Sequence, residues 1–233
     1  MNKLFLKGVK HGLPIGLGYL SVSFAFGMQC VGGGLTVLQA LLISMTNLTS
    51  AGQLAGLQVM LAGSSLIEMA MTQFIINLRY ALMGLSLSQK LGPTMTTPRR
   101  MFFSFANTDE IFAVASSQPE KVGKGYLYGL MSTPWLGWAL GTLLGAVAGQ
   151  LLPEFFRTAL GIAIYGMFLA IILPPARKEH PVRVVVVIAV ALSLCFRYIP
   201  GLNQLSSGFV IIICAVAAST VGALLFPVKE GDA

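Results

Sequence analysis

The chain has 233 residues, of which 55% are hydrophobic and 10% charged, and a mean hydropathy of +0.80. A soluble domain carries ~25% charged residues, so this composition excludes a globule covered by water. The net charge of +7 does not point to nucleic acid either, because the cations lie in short clusters between apolar runs and form no continuous basic surface.

Eight apolar segments are predicted in chain order: 13–33, 35–61, 63–87, 101–118, 125–151, 155–175, 182–199 and 208–227. A helix needs ~20 apolar residues to cross a ~30 Å hydrocarbon core, and six of the eight read as plain spans. The first follows a basic start with Lys3, Lys7 and Lys10 and reads as a retained helix, since it is longer than the apolar core of a signal peptide. Two segments are interrupted. The run 35–61 contains Thr46, Asn47, Thr49, Ser50, Gly52 and Gln53, and the run 101–118 contains Ser104, Asn107, Thr108, Asp109 and Glu110. Gly137, Gly141, Gly145 and Gly149 recur every fourth residue in 125–151, and Gly8, Gly12 and Gly16 repeat that spacing near the start. Such ridges let helices approach closely, with a partner either in this chain or in another. Pro134 is expected to kink its helix, and Pro174 with Pro175 to mark a helix end. The expected fold is an all-α, polytopic transmembrane bundle with two interrupted segments that either re-enter or span, forming one integral membrane domain over 1–233.

Loop charge constrains the topology. The clusters are Lys3, Lys7 and Lys10; Lys90, Arg99 and Arg100; Lys121 and Lys124; and Arg177, Lys178 and Arg183. With the N-terminus inside and both interrupted segments re-entrant, all four clusters fall on the cytoplasmic side, as the positive-inside rule requires.

Polar groups inside lipid are costly and normally face the bundle interior or a wet cavity. Glu68 and Arg79 share one face of the third long segment, ~16 Å apart along its axis. Glu68 reads as an interfacial charge or a coupling group, and Arg79 needs an acid, for which Asp109 and Glu110 are candidates. These two acids admit three compatible readings: a helix cap at Thr108 or Asp109, a counter-charge for Arg79, and a site for a cation, proton or ammonium group. The stretch from Thr49 to Gln53 precedes an apolar half-helix, whose N-terminal N–H groups can hold a substrate carboxylate. The candidate substrate-binding set is Asn47, Ser50, Gln53, Asn77 and Asp109. Glu68, Arg79 and Glu110 are candidate coupling or structural charges. Asn107 is a further acceptor, and Phe24, Phe26 and Phe112 are candidate apolar walls.

Cys30, Cys195 and Cys214 form no C-x-x-C pair, and His11 with His180 form no metal motif, so neither metal nor cofactor is expected. No nucleophile elbow or phosphate-binding loop occurs, so an enzyme is not indicated.

At these same positions the chain resembles a known family. Pro14-Ile15-Gly16 with Phe24-Ala25-Phe26-Gly27, then Ser50-Ala51-Gly52-Gln53, Asn77-Leu78-Arg79-Tyr80-Ala81-Leu82 and Thr108-Asp109-Glu110-Ile111-Phe112-Ala113 are similar to the AzlC/YgaZ-type permeases. The likeness runs in order through the first half of the chain and departs from the family at Gly52 and Asn107. It implies a secondary transporter that exports branched-chain or similar apolar amino acids across the inner or plasma membrane. It also implies a small companion membrane subunit. The alternatives are a permease for another small metabolite or ion, an intramembrane enzyme, or a scaffold subunit.

A cysteine placed at Gln89 is expected to resist a membrane-impermeant thiol reagent added outside intact cells and to react after permeabilisation. Labelling from outside would rule out the re-entrant topology.

Overall fold

The computed structural model describes residues 2–153, 155, 166, 169 and 172–227. Among them the only regular structure is helical, apart from one isolated bridge between Leu91 and Val122. The predicted span 155–175 lies mostly outside the described residues. The helices are α1 (Asn2–Gly32), α2 (Val37–Thr46), α3 (Ala51–Leu61), α4 (Leu66–Lys90), α5 (Thr97–Ser104), α6 (Asp109–Ser116), α7 (Lys124–Leu151), α8 (His180–Tyr198) and α9 (Ser207–Leu225). Four of these, α1, α7, α8 and α9, are long and apolar enough to cross a membrane.

The chain gathers into two compact units. Unit 1 is Met1–Gln53 with Asn77–Ile164, and unit 2 is Leu54–Ile76 with Tyr165–Ala233.

Unit 1 is built on α1 and α7. Their glycine ridges face each other: a Cβ on Gly137 would strike the Gly16 carbonyl oxygen, one on Gly145 that of Phe24, one on Gly129 that of Phe5, and one on Gly8 that of Tyr126. The partner of each ridge is therefore internal, and backbone meets backbone over most of both helices. Sequence numbers rise together along the contact, from Gly8 beside Gly129 to Met28 beside Gly149, so α1 and α7 run parallel. Lys3, Lys7 and Lys10 thus share one end of the pair with Lys124. At that end His11 Nδ1 lies 2.9 Å from the Tyr126 hydroxyl, and the Lys7 ammonium sits 5.8 Å from the Tyr126 ring centre. Helix α1 starts at Asn2 rather than near residue 13; lysines are compatible with such a helix end because a long stem can cover apolar surface while its charged end reaches water.

Both interrupted segments are pairs of short helices. Thr36 caps α2 in a reciprocal box: its Oγ1 accepts from Gln39 N (3.2 Å), and its own N–H donates to Gln39 Oε1 (2.8 Å). The break at 47–50 then leads into α3. The second pair begins at Thr97 rather than 101, because Pro98 suits the first turn of a helix. Arg99 and Arg100 consequently belong to α5 and brace the preceding turn, donating to the carbonyls of Thr94 (2.7 Å) and Met95 (2.8 Å).

The excursion through α5 and α6 returns to its starting point. Gly92 N donates to Val122 O (2.9 Å), Val122 N to Lys90 O (3.0 Å), and Lys124 N to Thr94 Oγ1 (3.2 Å). Residues 92–122 therefore enter and leave at one end of unit 1, the end where α7 begins.

In unit 2, α8 and α9 pack side by side, with Gly222 against Val185. Residues 172–178 are helical, so Pro174 and Pro175 lie within a helix instead of ending it. Glu179 N still finds an acceptor in the Pro175 carbonyl, 2.8 Å away. Most of α8 and α9 is exposed aliphatic surface, as suits helices that face lipid.

The glycine contact is testable with methyl groups. Gly145→Ala is expected to lower stability by ~1–3 kcal/mol, the usual effect of overpacking, because the added Cβ meets the Phe24 backbone. Gly18→Ala meets nothing within 4 Å and should stabilise by roughly 0.5–1 kcal/mol, the ordinary gain of alanine over glycine in a helix. Thermal unfolding in detergent reads both, and a Gly145→Ala variant as stable as the parent would contradict the contact.

Candidate functional site

The two breaks meet the α1–α7 pair near its middle. Trp135 Nε1 donates to the Met45 carbonyl (3.1 Å) at the end of α2, which puts the first break beside the centre of α7. Trp138 follows one turn later, and its ring meets Tyr19 of α1 edge-on at 5.1 Å. Tyr19 in turn reaches the second break at Thr108 and Glu110. The enclosed cleft is lined by Tyr19, Leu48, Ser50, Tyr80, Thr108, Asp109, Glu110 and Trp138 and holds ≈ 200 Å³, part of it open. Its enclosed part has room for about one water.

The sequence leaves the cap of α6 open between Thr108 and Asp109. Thr108 takes the role, its Oγ1 accepting from Ile111 N at 3.4 Å. Asp109 is thereby free to turn its carboxylate to Arg79, whose Nη1 lies 2.7 Å from Oδ2. The two side chains are 44% and 48% exposed, so the pair borders the cleft and is not sealed inside protein. Arg79 also stacks over the Tyr80 ring at 4.9 Å and donates to the Tyr80 hydroxyl at 3.1 Å. Adjacent helical residues point ~100° apart, so Glu110 faces elsewhere and meets Tyr19. The Tyr19 hydroxyl has one proton to give, and a carboxylate only accepts. That proton therefore goes to Glu110, and Thr108, 2.7 Å away, supplies its own hydroxyl proton to Tyr19. One guanidinium and two carboxylates leave the cleft a net negative charge, which suits an ammonium group. Both acids lie in the first turn of α6, where the helix dipole favours them.

Ser50 lines the cleft with φ 31°, the one positive-φ residue other than glycine among the described residues. A left-handed backbone at a β-hydroxy residue stores strain, and such strain collects at functional sites. Asn77 sits behind it. A Cβ on Gly52 would meet Thr49 Oγ1 at 2.6 Å and Asn77 Oδ1 at 2.9 Å, so Gly52 is what lets Asn77 approach the start of α3.

The remaining candidates fall outside the lining. Asn47 ends α2 and accepts from Thr49 Oγ1 at 2.8 Å, bracing the break. Gln53 is 1% exposed and both ends of its amide are committed: Nε2 donates to Ser44 Oγ (3.0 Å), and Oε1 accepts from Trp138 Nε1 (2.9 Å). Ser44 Oγ and Thr142 Oγ1, 2.6 Å apart, extend this network to α7. Phe26 is fully buried, and neither it nor Phe24 nor Phe112 borders the cleft. Asn107 borders a second, largely apolar cleft of ≈ 390 Å³ with Gly84, Leu87, Leu91, Arg100 and Phe103. Glu68 belongs to unit 2. The sequence reading missed Tyr19, Tyr80, Trp138 and Leu48. Tyr80 was visible beside Arg79 in its motif; the others carry no local signal.

The comparisons agree with a membrane protein. A family model described as "AzlC protein" matches residues 14–152. The chain is similar to "Inner membrane protein YgaZ" of Escherichia coli, 27% identical, over 81% of this chain and 80% of that one. It is similar to an uncharacterized membrane protein of Archaeoglobus fulgidus, 30% identical, over 96% of this chain and 94% of that one. A Helicobacter pylori membrane protein is 27% identical over 70% of this chain and 75% of its own. No solved structure gives a significant match.

A double-mutant cycle on Arg79→Met and Asp109→Leu is expected to return a coupling energy of about 0.5–3 kcal/mol, the range for residues in one ion-pair network. Additive effects in thermal unfolding would mean that the pair contributes nothing to the fold.

Proposed function

The chain belongs to the AzlC protein family and is an integral membrane protein with a transport role, and from that premise we propose that it exports branched-chain or similar apolar amino acids across the inner membrane. The observation that carries this reading is the charge arrangement at the two breaks: Arg79 paired with Asp109, and Glu110 held by Tyr19, all bordering the cleft. A zwitterion presents both charges. Its carboxylate competes with Asp109 for the Arg79 guanidinium, and its ammonium takes the carboxylate so released, with Glu110 close by. Leu48, Tyr19, Tyr80 and Trp138 supply an apolar wall for an aliphatic side chain. Such walls discriminate weakly, since one methylene is worth ~1–3 kcal/mol. Valine, leucine, isoleucine and methionine are therefore all expected substrates.

The cleft is too small for an amino acid as it stands. Admission requires the Arg79–Asp109 and Tyr19–Glu110 contacts to part, and substrate binding is what replaces them. Ser50 and Asp109 of the substrate-binding set border the cleft, while Asn47, Gln53 and Asn77 position the first break from behind. A small companion membrane subunit completes the proposed system. A transporter fits better than an enzyme, since the polar groups of the cleft form ion pairs and caps and present no activated nucleophile.

Asp109→Asn is the decisive variant. It keeps a polar side chain in the first turn of α6 and leaves the Thr108 cap intact, so the helix survives. Reconstituted with its companion, it should lose at least most leucine counterflow while remaining folded by size-exclusion chromatography. Full counterflow by Asp109→Asn would overturn the assignment of this cleft to the substrate.

A further inference from the structure

Unit 2 contains a buried acid that the cleft does not use. Glu68 lies in the first turn of α4 and is 3% exposed. Its Oε1 accepts from Gly208 N at 2.9 Å, in the first turn of α9. Two helix N-termini, those of α4 and α9, therefore meet at one carboxylate. Among the described residues it has no cationic partner, the one ion pair being Arg79–Asp109. A buried carboxylate without a counter-charge is strongly unfavourable. One N–H bond and the positive ends of two helices offset only part of that penalty.

The second observation is independent of the acid. Thr72, one turn along α4, is 0% exposed, and among the described residues its Oγ1 has no hydrogen-bond partner. A threonine inside a helix usually returns its hydroxyl to a carbonyl of the preceding turn; this one does not. It points where Glu68 points. A Cβ on Gly208 would strike Glu68 Oε1 and would lie 2.7 Å from Thr72 Oγ1. Gly208 is thus the residue whose missing side chain lets the carboxylate and the hydroxyl converge on the start of α9. Ser206, the residue at the N-cap of α9, makes no capping bond, and its buried Oγ is likewise unpartnered among the described residues.

We propose that Glu68 and Thr72, at the N-terminal turn of α9, form a binding site for a small monovalent cation, Na⁺ or a proton. The donor set is hard oxygen throughout: the Glu68 carboxylate and the Thr72 hydroxyl with its free lone pairs. Hard cations take oxygen ligands, and a proton takes the carboxylate directly. Either ion cancels the uncompensated charge and gives the orphaned hydroxyl a partner. Under the transport reading, on which this part rests, the site is where export is coupled to an ion gradient.

Binding is read first on the purified chain in detergent, so it does not depend on transport. The thermal midpoint is measured against NaCl, with choline chloride at matched ionic strength, and separately against pH. If the ion is Na⁺, NaCl stabilises the wild type beyond choline, Glu68→Gln abolishes that response, and Thr72→Val raises the half-saturating Na⁺ concentration about tenfold, the effect of losing ~1.4 kcal/mol. If the ion is a proton, Na⁺ and choline act alike, and the pH response of the wild type is reduced in Glu68→Gln. Glutamine still accepts from Gly208 N, so a merely structural cap predicts the wild-type response in both titrations, and that result overturns the proposal. In liposomes, Glu68→Gln should lose gradient-driven flux and keep leucine counterflow. A wild type without any leucine flux would count against the transport reading and leave the detergent result standing.

Discussion

Glycine lets α1 and α7 approach until the carbonyl of one lies where a side chain of the other would be. In lipid there is no hydrophobic drive between helices, because the surroundings are as apolar as the side chains. Close backbone contact replaces it with dispersion and weak Cα–H···O bonds. The contact also sets heights. It holds Tyr19 of α1 beside Trp138 of α7, and these two rings are the surfaces on which both broken segments rest. A side chain at Gly16, Gly137 or Gly145 would separate the helices and pull Tyr19 away from Glu110.

Broken helices in a membrane must satisfy the backbone groups that the break exposes, and they survive only where protein or a wet cavity covers them. Here the covering is specific. Thr36 and Gln39 close the start of α2, Asn47 N returns to the Ile43 carbonyl, and Thr108 caps α6. The buried network of Gln53, Ser44, Thr142 and Trp138 then fastens the first break to α7. A fully satisfied polar network inside an apolar bundle fixes one arrangement over its neighbours. The strain at Ser50 is tolerated because this network determines the positions on either side of it.

The charges follow the same division of labour. Arg79 and Asp109 satisfy each other at the half-exposed edge of the cleft. Glu110 is held by a hydroxyl and not by a cation, so the cleft keeps its negative excess. Among the described residues Glu68 in unit 2 has neither arrangement; its compensation comes from an N–H group and helix ends.

The sequence by itself determined the membrane fold, the two breaks and the glycine ridges, because each is a local property. Length and apolarity decide whether a helix can span, polar clusters mark where it is interrupted, and a four-residue glycine period defines a smooth face. Asp109, Arg79 and Ser50 stood out for the same reason, being polar residues in apolar surroundings. What only the tertiary structure decided is which groups meet. Nothing local shows that the two ridges pair in parallel, or that Gln53 turns its amide onto Ser44 and Trp138. The same holds for Tyr19, which joins the site from α1. Thr108 and Asp109 could equally have capped α6, and the choice fell to Thr108 once Arg79 lay 2.7 Å from Asp109. Most of these partners lie 30 to more than 100 residues apart in the chain; they are selected by the packing of whole helices, and that packing is a global minimum which no single stretch encodes.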